Sequence, residues 1–449
     1  MKRILTYGLI VAAILGGCAK ETSLPTPTGE GTIRAINAIP DAPEVAFLIE
    51  ERVIGSVGFK EASSTSEFDD LTYTFNFDAV LAGELTRTRI ASQFIDVQAD
   101  IDYTLVITGP IDTPDVTVWE ADRREWAGTE TVFELSASHL SESLGPVDIY
   151  FADAATPPAL GSQFATLDPG AVSASADLEA GDYVLTVTPA GDDTTILFVS
   201  DPVSVTPQSR FMVSVFDINA NDLAPVSTRL YELDSGNFLN FVDTRFAPQL
   251  RFIHASLNLG AADIYIEDPL AAPLVSNHGF NDITGFFDVT ATDLPVTYTA
   301  AGNVGSILLE DDRLIIAGTR ADYYVIRDSN GVDIPIVSIT DRSSVSTFAR
   351  LSIINTDPGR SAVDVYLVQS GEPLGDEQLP FIPLLASGFR PAVVSVAPNS
   401  YDLYVTEFGE KVVLAGPIPL LLDLGDVTEL IIFETVDPSV LDVGFMPSP

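Results

Sequence analysis

The chain contains a single cysteine, Cys18, in 449 residues. No disulfide can form within it, so stability in an oxidising compartment must come from packing rather than covalent staples. Lysine is nearly as scarce: Lys2, Lys20, Lys60 and Lys411 are the only four, and every other basic side chain is arginine. The 22 basic residues face 64 acidic ones, giving a net charge of −42. That balance excludes nucleic-acid binding, which needs a basic footprint, and anionic lipid headgroups would repel such a surface. No apolar run reaches the about 20 residues of a membrane-spanning helix. The nearest, Ile418 to Leu424, contains Pro419 and Asp423 and is strand-sized. Helical periodicity is nowhere sustained beyond about ten residues.

Catalytic and metal signatures are missing too. His139, His254 and His278 share no HxH, HxxxH or HExxH spacing, and no second cysteine could join them on zinc. There is no Gly-x-Ser-x-Gly elbow, no P-loop and no Gly-x-Gly-x-x-Gly opening a helix. Acid pairs abound, but at this charge they would abound by chance, so no glycosidase dyad can be inferred.

What the chain does have begins at its N-terminus. Lys2 and Arg3 precede an apolar run, Ile4 to Ile14, broken only by Thr6, Tyr7 and Gly8. Residues 1–17 therefore read as a signal peptide. The following Leu15-Gly16-Gly17-Cys18 resembles the lipobox of bacterial lipoproteins. That resemblance implies diacylglycerol on the Cys18 thiol, cleavage before it, and a lipid-anchored envelope protein. With Ala19 rather than Asp after the cysteine, it implies the outer membrane, periplasmic or surface-exposed, if the host is Gram-negative. Residues 18–31, carrying Pro25 and Pro27, read as a polar spacer. The acid-rich, lysine-poor composition suggests a salty habitat, where screening shortens self-repulsion.

The 46% hydrophobic content, with 25 Phe and 13 Tyr, rules out a wholly disordered chain, and the length calls for several cores. Repetition supplies the count. Four alternating strands open on Ile33-Arg34-Ala35-Ile36-Asn37-Ala38, Val132-Phe133-Glu134-Leu135-Ser136-Ala137, Leu250-Arg251-Phe252-Ile253-His254-Ala255 and Leu351-Ser352-Ile353-Ile354-Asn355-Thr356. Each leads to a second strand, Val45 to Leu48, Val147-Asp148-Ile149-Tyr150, Ala262-Asp263-Ile264-Tyr265 and Val363-Asp364-Val365-Tyr366. Ala46, Asp148, Asp263 and Asp364 lie 102, 115 and 101 residues apart, a domain period rather than a short solenoid repeat. Period-two alternation with Gly, Pro, Asn and Asp between runs predicts strands. The fold class is thus all-β: a tandem array of four immunoglobulin-like sandwiches of roughly seven strands each. Their bounds are 32–128, 129–246, 247–347 and 348–449, set in series and reaching outward. In the first three units a short loop leads to a last strand; none is evident in the fourth.

These units resemble the bacterial repeat called domain of unknown function 4397, whose hallmark is His-Ala-Ser-Pro-Asp-Ala-Pro followed by Val-Asp-Val-Tyr. Asn37-Ala38-Ile39-Pro40-Asp41-Ala42-Pro43 keeps the second half of the first motif, and His254-Ala255-Ser256 keeps its first half. Asn355-Thr356-Asp357-Pro358 is partial, and Ser136-Ala137-Ser138 stands for it in the second unit. The resemblance implies architecture and no assigned activity. Alternation places the Asp of Val-Asp-Val-Tyr on the outer face of its sheet, a structural role.

One stretch imitates a metal loop. Asp217, Asn219, Asn221 and Asp222 set oxygens at calcium-like spacing, but Asp222 stands where Gly is needed and Thr228 where Glu is needed. Turn chemistry is the better account, and it extends to Glu310-Asp311-Asp312 and Asp192-Asp193. Trp119 and Trp126 could stack on sugars, though aromatics in strands usually serve the core. The expected protein is a non-enzymatic binding, adhesion or structural array with no cofactor, meeting a glycan or protein partner and held to the membrane through Cys18. The alternatives are a calcium-stabilised adhesin and a hydrolase acting on glycan or peptide. Since Cys18 is the sole expected attachment, Cys18→Ser should yield an uncleaved or mislocalised protein; membrane fractionation that still recovers mature, lipid-bound chain would refute it.

Overall fold

The computed structural model describes residues 25–153, 156–290 and 293–447, and within them every regular element is a strand. Cys18 and the expected signal peptide lie outside the described residues. The first unit has eight strands: β1 (Glu30–Asn37), β2 (Val45–Ile49), β3 (Arg52–Val57), β4 (Ser66–Asp69), β5 (Thr72–Ala79), β6 (Thr88–Asp96), β7 (Ile101–Thr108) and β8 (Asp115–Asp122). They form two sheets, ordered β4-β1-β7-β8 and β3-β2-β5-β6, with β1 and β7 parallel and the other neighbours antiparallel.

The same order recurs three more times. Val132–His139, Gln249–Ala255 and Ala349–Asn355 take the place of β1, each parallel to its own equivalent of β7. The sandwich is therefore eight-stranded rather than seven-stranded. In the second unit it has ten strands: β6 is split into Phe198–Val199 and Val203–Val205, and Phe238–Asn240 extends the first sheet. The fourth unit does have a last strand, Asp442–Phe445, too short and Gly-interrupted to announce itself. Each pair of sheets closes on its own apolar cluster. In the first unit Ile33 and Ala35 from β1 meet Phe47, Phe75 and Leu105.

Two local devices repeat. The last residue of the β1 position, or in the third unit the one before it, turns its side chain back onto the loop that follows. Asn37 Oδ1 accepts from Ile39 N at 3.0 Å, and Asn355 Oδ1 accepts from Asp357 N at 3.0 Å. His139 Nε2 lies 3.0 Å from Gly145 O, and His254 Nε2 lies 2.7 Å from Gly260 O. The second unit thus carries the motif at His139-Leu140-Ser141, three residues beyond Ser136-Ala137-Ser138; its first strand, Val132–His139, matches Glu30–Asn37 in length and ends on the motif residue as that one does. The second device is the Asp of Val-Asp-Val-Tyr. It does lie on the face opposite the core, but Asp148, Asp263 and Asp364 are all buried. Each accepts the backbone N–H of a left-handed glycine in the following hairpin, Gly191, Gly302 or Gly409, at 2.8, 2.8 and 2.9 Å. A side chain at those positive φ values would be strained, so glycine is required there.

The units do not stand in series. The outer face of the first unit's β1/β7 sheet packs on the same face of the second unit, joining Ile36, Val106 and Trp119 to Met212, Phe216 and Tyr231. The third and fourth units repeat this through Ile253, Tyr324 and Ile326 against Ile354, Ile431 and Phe433. At the centre of that second interface lies a buried charge cluster. Asp322 accepts from Arg251 at 2.8 Å and from Arg342 at 2.7 Å, and Glu429 takes the other side of both guanidinium groups. Arg390 donates to Thr340 and to the Tyr324 hydroxyl. Five charges removed from water are tolerable only because each has a partner. Asp322→Ala should therefore lower unfolding free energy by about 3–5 kcal/mol in equilibrium denaturation, as expected for stranding a buried charge; a loss typical of a surface carboxylate would show that the cluster is not holding the pair.

Candidate functional site

The two pairs of sandwiches meet through short polar contacts. Ser346 N and Oγ in the link between the third and fourth units donate to Asp41 O of the first, at 2.8 and 3.1 Å. Asn221 Nδ2 donates to Asp341 Oδ1 at 2.7 Å, while Arg342 N donates to Asn221 Oδ1 at 2.7 Å. Arg320 Nη1 reaches Ala220 O at 3.1 Å. Beside these contacts opens a cleft of about 960 Å³ to which all four units contribute: Phe59 and Lys60, Asn219 and Asn240, Thr319, and Ser395.

Lys60 anchors the floor. Its ammonium is 3.0 Å from Asp222 Oδ2 and donates to Ser227 Oγ at 2.8 Å. Burial lowers its pKa, with Asp222 opposing part of the shift. Its backbone is left-handed, with φ of 64°, a conformation that costs a side-chain-bearing residue about 1–2 kcal/mol. The carbonyl is held there by two donors from the second unit, Arg229 Nη1 and the Tyr231 hydroxyl, the latter at 2.6 Å. Arg229 is itself buried, which lowers its pKa. On the far wall, burial pushes the Asp341 carboxyl up, but hydrogen bonds from Arg350, Ser343 and Asn221 outweigh it and hold it well below the usual range.

The four oxygen-bearing residues of the metal-like stretch spend their oxygens on turn and inter-unit bonds. The Asp217 carboxylate caps the loop after the second unit's first strand, accepting from the Ser141 and Ser143 hydroxyls, Glu142 N and Ser143 N. Those bonds overcome burial and lower its pKa. Asp222 faces Lys60, Asn219 Oδ1 accepts Asn221 N, and Asn221 bridges to the third unit. Among the described residues no three His, Cys, Asp or Glu side chains are grouped to hold a metal ion. The other acidic stretches make turns and local pairs: Asp192 Oδ1 accepts from Thr194 N and Thr195 N, and Asp311 accepts from the Tyr323 hydroxyl. Trp119 packs at the interface of the first two units, and Trp126 lies under Arg124 at 3.9 Å.

Part of the chain matches a known sequence family. Residues 31–150 match the family model described as a domain of unknown function, DUF4397. The matched DUF4397 segment holds the first unit from Gly31 onward and continues into the second strand of the second unit, ending at Tyr150 of Val147-Asp148-Ile149-Tyr150. No curated protein matches the chain. Asp41 and Ala42, within the matched segment, sit at the junction, with Ala42 lining the cleft and the Asp41 carbonyl bonded to Ser346.

Sequence reasoning passed over Lys60, Arg229 and Asp341. Lysine scarcity was the one signal for Lys60, since a chain with four lysines that buries one is using it. Two of the three histidines, by contrast, form a pair. His254 and His278 have ring centroids 5.7 Å apart, and both are buried. Burial first, and then the neighbouring His254 ring, bring His278 down to a pKa of about 4. An imidazole in the unfolded chain takes its proton near about pH 6.5, so between those values the unfolded state binds more protons and stability falls as pH falls. Wild-type protein should lose up to about 1.4 kcal/mol per pH unit from this site across that window. In denaturant titrations His278→Leu should flatten that slope, and identical slopes would contradict the assignment.

Proposed function

We propose that this protein is a non-enzymatic lipoprotein of the cell envelope, anchored through Cys18, whose four sandwiches form one body that binds a glycan in the central cleft. The cleft carries the reading. It is large enough for an oligosaccharide fragment, within the common range of about 300–1,000 Å³ for ligand sites. Its walls offer neutral hydrogen-bonding groups, Asn219, Asn240, Ser344 and Thr319, beside the apolar ring of Phe59. Amides and hydroxyls match sugar hydroxyls, and an aromatic face matches the C–H surface of a pyranose.

The carboxylates around the cleft favour binding over hydrolysis because they are already engaged. Asp222 is paired with Lys60, Asp341 with Arg350, and Glu61 accepts Gly58 N at 2.9 Å. A general acid needs a raised pKa and a free proton aimed at a leaving group, whereas Asp341 is shifted the opposite way.

Calorimetric titration of the mature protein with oligosaccharide fragments of the bacterial envelope tests this. Ser344 is exposed on the cleft wall, so Ser344→Trp should fill the space without disturbing the core. Binding should weaken at least about tenfold while the melting temperature holds. New reducing ends appearing during the titration, or equal affinity in the variant, would each overturn the proposal.

A further inference from the structure

The two paired interfaces place an arginine at the same point and treat it differently. Arg34 and Arg251 each lie three residues before the side chain that turns back onto the following loop, Asn37 and His254. In parallel register Arg251 faces Asp322, while Arg34 faces Thr104. From the partner unit, Glu429 stands opposite Ser352, and Met212 stands opposite the matching Ser136. Thus where the third and fourth units supply two carboxylates, Asp322 and Glu429, the first and second supply Thr104 and Met212.

Arg34 is left with little. It is 5% exposed, its Nε donates to Thr104 Oγ1 at 2.9 Å, and Nη1 is buried with no partner. It makes no ion pair among the described residues. Burial brings its pKa down to about 10, still far above neutrality, so the guanidinium remains charged. Beside it is a cavity of about 70 Å³, lined by Arg34, Thr104, Ser136, Met212 and Arg210. A single water needs roughly 10–15 Å³ of such space, so several water-sized species fit. Asp102 and Glu120 also line it. Asp102, however, is committed to Arg210 at 2.5 Å, to the Thr32 hydroxyl and to Arg123.

We infer that this cavity is an anion site, in which a small monovalent anion such as chloride sits against Arg34 Nη1 and replaces the carboxylates that Asp322 and Glu429 provide in the other pair. The ion cements the first two units as the two carboxylates cement the last two. The two carboxylates whose field reaches Arg34, Asp102 and Asp234, are both paired with Arg210. A buried guanidinium that only shares its counter-charge is costly, and a diffusible anion meets the need at no cost in sequence.

Two measurements on the full mature chain decide it. Crystals grown in bromide should show an anomalous peak within hydrogen-bonding distance of Arg34 Nη1; a cavity holding water alone would overturn the inference. In solution, the denaturation midpoint should rise with the logarithm of chloride concentration relative to sodium gluconate of equal ionic strength, because gluconate is too large to enter. Arg34→Met removes the cation, and Met212→Glu installs the carboxylate found at Glu429. Each should abolish the chloride-specific rise, and the second should do so with a higher midpoint in gluconate. Equal midpoints of the wild type in the two salts, or a chloride response that survives in both variants, would refute the site.

Discussion

Strands β1 and β7, and their counterparts in the other three units, are buried on both faces. One face of Ile33 and Ala35 belongs to the sandwich core, while Arg34 and Ile36 on the other would meet water if the unit stood alone. A sheet apolar on both sides must be covered twice. The second cover is the equivalent sheet of the next unit. From that requirement come the two back-to-back pairs and the need to neutralise any arginine caught between them. The cleft follows in turn, because two rigid pairs meeting through a few polar contacts cannot fill the space at their junction.

The same position solved by different chemistry recurs through the chain. Asn37 and Asn355 close the turn after the first strand with an amide oxygen, and His139 and His254 do it with an imidazole. Each side chain offers a polar group at the end of a strand whose next carbonyls and amides must be satisfied. The buried Asp of the second strand is kept in three units and is Ala46 in the first, whose β5–β6 loop, 80–87, also carries a left-handed glycine, Gly83, but has no carboxylate at this position to hold it.

Strand content, the fourfold repeat and the intervals between units were readable because period-two alternation and turn residues are local properties. The intervals of 102, 115 and 101 residues, taken from the Asp positions, also relate Asn37, His139, His254 and Asn355, so the second unit's motif was within reach. Pairing of the units left a fainter mark. Ile36 beside Ala35, and Val106 between Leu105 and Ile107, break strict alternation, the signature of a strand with no solvent face. The cleft was invisible, since Phe59, Asn219, Thr319 and Ser395 are distant in sequence and ordinary in composition. Spacing alone suggested a metal loop at Asp217, but backbone direction sends the oxygens of Asp217, Asp222 and Asn221 to Ser141, Lys60 and the Arg342 N–H instead.

The place of β1 in its sheet bears on how the molecule carries load. The chain enters the fold along a strand hydrogen-bonded to β4 on one side and, in parallel, to β7 on the other. A pull on the N-terminal segment acts along that strand, so the flanking bonds are sheared together rather than peeled one at a time. The entry strand is the part of the first sandwich best placed to resist tension, and its outer face, pinned by the second unit, keeps it from sliding out alone.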